Sequence, residues 1–107
     1  SLFIWKAPET YDEASAAKHF KDDTPALLRE LKAGIEALTE WTEEAIEPVF
    51  VKAAEARGIK IGKVAQPART AIVGKAMSPG IYEVVWFVGK DETCARLERA
   101  AQFIESK

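Results

Sequence analysis

A compact all-α bundle of five to six short helices is predicted from three observations on the 107-residue chain. Apolar residues recur at spacings of three and four rather than two, which lines one face of a helix and not one face of a strand. Proline and glycine sit at the edges of these periodic stretches, where they start and stop helices. No turn signal joins a pair of alternating segments into a hairpin. With 48% hydrophobic and 30% charged residues and a net charge of −2, the composition suits one folded domain over residues 1–107 and not a disordered polyelectrolyte.

The first helical face spans Glu9 to Phe20, with Tyr11, Ala14, Ala17 and Phe20 three apart. Asp22-Asp23-Thr24 then supplies a cap and Pro25 takes the first helical position, where its missing N–H costs nothing. Leu27, Leu28, Leu31, Ile35 and Leu38 continue as an apolar stripe to about Thr39, weakened slightly by Gly34. Thr42-Glu43-Glu44-Ala45 opens the next helix with carboxylates at the positive end of its dipole, and Trp41 precedes the cap as a staple. Pro48 lies about two turns in and predicts a kink or a late start, while Arg57-Gly58 closes the element. A further helix is expected from about Lys63 to Val73, with Pro67 accommodated only in a first turn and Gly74 as the stop. Ser78-Pro79 reads as cap and first residue of a short buried helix that includes Ile81 to Val88 and ends at Gly89. Lys90 or Asp91 begins the last helix, where Ala95, Leu97, Ala101 and Ile104 alternate with Arg96, Glu98, Arg99 and Glu105.

Several function classes are excluded at this level. One cysteine makes no internal disulfide, and one cysteine with one histidine falls short of the four ligands of a structural zinc site. Cys94 is expected as a small buried apolar residue, and His19 as a helix-surface or core residue rather than a general base. Trp41 and Trp86 are expected in the core. The longest apolar run, Val84 to Val88, is far below the roughly 20 residues of a membrane span. The start, Ser1-Leu2-Phe3-Ile4-Trp5-Lys6, lacks the marks of a secretory signal and an initiator Met, so a processed or excised piece of something larger is expected.

Charge is unevenly distributed. From Ala56 to Tyr82 there are five basic residues, Arg57, Lys60, Lys63, Arg69 and Lys75, and no carboxylate; the remainder holds ten basic and seventeen acidic residues, a net of −7. An acidic body with one basic, glycine- and proline-punctuated region can bind phosphate at a single place. That region also carries groups suited to single-stranded bases. Arg69 offers planar bidentate donors and Gln66 both donor and acceptor, while the Ser78-Pro79-Gly80 turn exposes backbone beside Ile81 and Tyr82. The plainer alternative is a non-catalytic helical module for structure or protein interaction, in which Gln66 and Ser78 cap helices and Ile81 and Tyr82 fill the core.

The blocks Gly58-Ile59-Lys60, Gly62-Lys63-Val64-Ala65-Gln66-Pro67, Arg69-Thr70-Ala71, Gly74, Ser78-Pro79-Gly80-Ile81-Tyr82-Glu83-Val84 and Gly89-Lys90 followed by Arg96-Leu97 resemble the C-terminal end of bacterial glutamyl-tRNA synthetases, class I enzymes. The resemblance is densest over residues 58–99 and extends upstream in helical layout and around Trp41. It implies an all-helical anticodon-binding domain, with tRNA(Glu) as partner through its anticodon loop, in a cytoplasmic and monomeric parent that joins glutamate to tRNA using ATP and Mg2+. Neither DNA nor a membrane is an implied partner. No cofactor, metal or catalytic residue is implied for the chain itself, which lacks the family's nucleotide-binding signatures; Lys75-Ala76-Met77-Ser78 echoes one of them only superficially. By the same resemblance Gln66, Arg69 and the turn Ser78-Pro79-Gly80-Ile81 face the first two anticodon bases, and Ile81 is expected to keep exposed surface for a base. Lys60, Lys63 and Lys75 are candidate phosphate contacts.

Overall fold

The computed structural model describes residues 10–75 and 80–107, and among them are six helices and no strand. They are α1 (Glu13–His19), α2 (Thr24–Glu36), α3 (Glu43–Arg57), α4 (Ile61–Val73), α5 (Ile81–Val88) and α6 (Lys90–Glu105). The all-helical class and the number of elements follow the periodicity. The boundaries and inward faces differ from it in instructive places.

Helix α1 is shorter than its apolar spacing predicted. Asp12 caps it by accepting from the backbone N–H of Ser15 at 2.9 Å, and its own N–H donates to Gly74 O at 2.7 Å, tying the start of α1 to the end of α4. Ala16 is the buried residue of this helix, and Ala14 and Ala17 are exposed. Tyr11 and Phe20 lie just outside it, their rings edge to face at 5.2 Å and both close to Phe103 of α6. Aromatic packing across the helix ends, not a stripe along the helix, fixes this element.

In α2 the predicted stripe is the core: Leu27, Leu28, Leu31 and Ile35 are buried and lie along α6, the broadest seam between helices. The cap differs from expectation. Asp23 makes no side-chain capping bond, and Thr24 Oγ1 instead accepts from Lys21 N–H at 2.9 Å and donates to His19 O at 3.1 Å. Helix α2 stops at Glu36, short of Thr39, and Lys90 Nζ donates to Leu38 O at 2.6 Å just beyond its end. Gly34 has a packing reason. A Cβ there would lie 2.7 Å from Val49 Cγ1, so α2 and α3 cross where only hydrogen fits. Gly34→Ala gains up to about 1 kcal/mol of helix propensity but overpacks the crossing by roughly 1–3 kcal/mol, so a lower urea midpoint is expected.

Across the α2–α6 seam, Arg29 donates to Glu98 from Nε and Nη2 and also pairs with Glu105, and Lys32 approaches Glu98. The Arg29 guanidinium holds the Glu98 carboxyl down, from 4.5 to about 2, with help from Gln102. A carboxyl more acidic in the folded state adds stability above its ordinary value and loses it as pH falls through the folded one. Wild type should therefore melt above Glu98→Gln at neutral pH, and the gap should close on acidification from pH 4.5 toward 2.

Helix α3 starts on Thr42, whose Oγ1 accepts from Ala45 N–H at 3.1 Å, and ends on Gly58 at φ +64°. Pro48 sits inside this helix without delaying its start, on the solvent side, with Glu44 exposed one turn before it. Pro67 corrects a second expectation. Helix α4 begins at Ile61, which places Pro67 at the seventh residue and not in the first turn, and its ring is buried. Packing of that ring outweighs the hydrogen bond its nitrogen does not make.

Helix α5 turns Ile81, Val84 and Val85 inward and leaves Trp86 47% exposed, which corrects the expectation of a core residue. A helix cannot bury positions 84, 85 and 86 together at 100° per residue against one core. Trp41 is half-buried against the core and its Nε1 donates to Trp86 O at 3.1 Å. In α6 the inward face is Thr93, Cys94, Arg96, Leu97, Ala100 and Ala101, so Ala95 is exposed and Arg96 is buried, the reverse of the alternation expected. The buried Cys94 thiol is pushed up to about 11, chiefly by desolvation, so it is neutral at physiological pH.

Candidate nucleic-acid interface

Helix α4 touches each of the other five described helices. Its alanines at 65, 68 and 71 let neighbours approach closely, and Val64, Ala65, Pro67, Ala68, Thr70, Ala71 and Ile72 are all buried. A helix so encased has little surface left for polar side chains. The exceptions in its second half are Gln66 and Arg69, both half-exposed. Gln66 Oε1 and Arg69 Nε are nevertheless buried atoms with no hydrogen-bond partner among the described residues. Each such atom gives up hydration without replacement, at a cost of about 1–3 kcal/mol.

The C-terminal end of α4 is held from two sides. Gly74 at φ +98° closes it, bonding back to Thr70 O, and its carbonyl accepts from Asp12 N–H. Arg96, 1% exposed, donates from Nη1 to Ile72 O at 2.9 Å while its Nε pairs with Glu92 at 2.8 Å. The chain then enters residues 76–79, so Ser78 and Pro79 of the expected reading turn lie outside the described residues. Gly80 is exposed and is the N-cap of α5.

Ile81 corrects the sequence reading. It is 4% exposed, the first buried residue of α5 on the same face as Val84 and Val85, and offers no surface to a base. The residue of α5 whose hydroxyl feels the Arg69 charge is Tyr82. Its hydroxyl is raised above the ordinary range by burial and by Glu47, with Arg69 acting in the opposite sense, and its ring packs edge to face on Phe50 at 5.5 Å.

The candidate phosphate contacts separate. Lys75 is exposed, and its charge adds a minor part to the lowering of the Asp12 carboxyl that the two bonds from Ser15 dominate. Lys60 and Lys63 are exposed at the start of α4, flanked by the exposed Ile59 and Ile61. They face residues that sequence reasoning passed over. A depression of about 560 Å³ between α1 and α4 is lined by Lys18, His19, Lys60, Lys63 and Gln66. A second, of about 320 Å³, shares Lys18, His19 and Lys63 and adds Lys21, Arg57 and Asp23. His19 registers the resulting field: desolvation first, then Lys18, Lys63 and Lys21, push its pKa below the ordinary value. The short run Lys18-His19-Phe20-Lys21 was the available signal, obscured by the acidic residues on either side of it.

No group of three or more His, Cys, Asp or Glu among the described residues is placed to hold a metal ion. No described helix is long and apolar enough to cross a membrane.

Comparison with known proteins bears directly on this surface. A family model described as an anticodon binding domain matches residues 1–101. The chain is 41% identical over 104 residues to glutamate–tRNA ligase 2 of Halorhodospira halophila, covering 97% of this chain and 22% of that protein. It is 46% identical over 100 residues to the glutamate–tRNA ligase of Citrifermentans bemidjiense, covering 94% of this chain and 21% of that one. Among solved structures, a glutamate tRNA ligase from Elizabethkingia meningosepticum in complex with its amino acid superposes with a TM-score of 0.90 at 32% identity, over 96% of this chain and 20% of that chain. The chain thus spans about a fifth of the length of these relatives.

Proposed function

Because the chain belongs to the anticodon-binding domain family, with glutamate–tRNA ligases as its relatives, we propose that residues 1–107 form the C-terminal anticodon-binding domain of such a ligase and read tRNA(Glu). The observation that carries this reading is that Gln66 and Arg69, one turn apart, are the polar side chains that the second half of the encased helix α4 keeps partly exposed. Unstacked anticodon bases meet the exposed parts of these two side chains. Arg69 donates to a base edge or bridges to a phosphate, and Gln66 accepts and donates on a Watson–Crick edge. The first two anticodon bases are the ones so read. Ser78, Pro79 and Gly80 are the further base contacts of this reading, and the buried Ile81 is not one of them. Lys60, Lys63 and Lys75 meet phosphates.

The chemistry of the parent, joining glutamate to tRNA at the expense of ATP with Mg2+, belongs to the other four-fifths of a relative-length protein. This chain contributes affinity and selectivity to a cytoplasmic monomer. An RNA hairpin carrying the tRNA(Glu) anticodon stem-loop tests the location. Its addition should shift the backbone amide signals of Gln66, Arg69 and Gly80 and leave those along the α2–α6 seam in place. Shifts concentrated on the seam, or around Trp86 alone, would place the partner elsewhere and favour the protein-interaction alternative.

A further inference from the structure

Four lysines line two adjoining depressions that together make a groove between α1 and α4: Lys18 and Lys63 line both, Lys21 one and Lys60 the other. Lys18 and Lys21 stand at the end of α1 and just after it, and Lys60 and Lys63 at the start of α4 opposite. None of the four pairs with a carboxylate in the ion pairs among the described residues, and Arg57, the fifth cation, is committed to Glu30 at 2.8 Å. Asp23 is the one acidic residue lining the groove. Lys21 Nζ donates one N–H to Ala17 O at 2.9 Å and keeps two N–H groups for a ligand. Like charges gathered here oppose one another and raise the free energy of the empty groove. Gln66 lines the same depression as Lys60, at the end that leads along α4 to Arg69, about one helical turn further on.

We propose that this α1–α4 groove is a binding site for the sugar-phosphate backbone of the RNA strand whose bases are read at Gln66 and Arg69, with Lys18 and Lys21 as contacts on the wall opposite Lys60 and Lys63. The inference rests on the anticodon reading and extends it to α1, a helix outside the basic segment. Four mobile ammonium groups suit successive phosphates, whereas base edges need the planar donors and acceptors that Gln66 and Arg69 provide. The exposed Ile59, 38% accessible and lining the groove, gives an apolar footing for the ribose and base faces between phosphates. His19 lies between the lysines and becomes easier to protonate once phosphates offset their field.

The experiment compares wild type, the double variant Lys18→Gln with Lys21→Gln, and Arg69→Ala in anisotropy titrations across a salt series. The probes are labelled hairpins with the glutamate anticodon and with altered anticodons, and circular dichroism confirms that each variant folds. The double variant should bind every hairpin roughly 10-fold more weakly at low salt, keep its preference among anticodons, and show a salt slope shallower by about 1.4–1.8. Arg69→Ala should lose preference instead. If wild type discriminates anticodons and the double variant matches it in affinity and salt slope, the groove proposal is overturned and the anticodon reading stands. If wild type shows no preference among anticodons, that reading fails and the groove proposal fails with it.

Discussion

Arg96→Ala is expected to lower unfolding free energy by about 3–5 kcal/mol, the scale for emptying a large, fully buried side chain. Arg96 is 1% exposed, and its guanidinium bonds to Ile72 O and to Glu92. Removing it leaves a cavity beneath α6 and a buried carbonyl without that donor, and the second effect alone costs about 1–3 kcal/mol. Arg96→Met separates the two, because it restores most of the volume and none of the hydrogen bonds. The Met variant should recover part of the loss in denaturant unfolding and remain below wild type. If both variants unfold at the wild-type midpoint, the buried guanidinium does not hold α4 to α6. The consequence for function follows from position: Ile72 is the penultimate residue of α4, three residues beyond Arg69. A loosened carbonyl end would let the reading face move even in molecules that stay folded.

Arg69→Ala is the largest expected effect on binding, about 1–3 kcal/mol of RNA affinity if the guanidinium makes a bidentate base contact. Thermal stability should change little or rise, since the variant removes a buried nitrogen that has no partner in the free chain. This combination distinguishes a recognition residue from a structural one, which loses stability and binding together. In a full-length ligase carrying this domain, the anticodon reading proposed above predicts a loss in tRNA affinity far larger than in the catalytic rate. Gln66→Ala should behave similarly with a smaller loss, because one amide replaces a charged fork. An Arg69→Ala protein that binds and charges tRNA like wild type would remove this residue from the site.

The helices were legible because their signals are local. The stripe from Leu27 to Ile35, Thr42 before Glu43, and the stops at Gly58 and Gly74 depend on spacing and cap chemistry within a few residues. What was not legible depends on neighbours distant in sequence. Gly34 looked like a weak point until Val49 was seen against it, and Arg96 looked like a surface residue until Ile72 O was found within its reach. Pro67 and Trp86 fail the simple rules for the same reason, since the surroundings of α4 and α5, not the residue types, decide which ring is buried. Gln66 and Arg69 could be singled out by chemistry and family resemblance, but their unsatisfied atoms appear only once α4 is encased. Ile81 shows the limit of carrying a role over by position: the hydrophobic core claims the first turn of α5 and buries it. Lys18 and Lys21 escaped notice because charge was counted along the chain, whereas the field adds up across the α1–α4 groove.

The most direct measurement is the dissociation constant of the wild-type chain for two hairpins identical except at the first two anticodon positions. Recognition by Gln66 and Arg69 predicts that the glutamate anticodon binds at least about 10-fold more tightly, the equivalent of roughly 1.4 kcal/mol, at salt high enough to suppress phosphate contacts. Equal affinity for the two hairpins across the salt series would contradict anticodon reading by this domain.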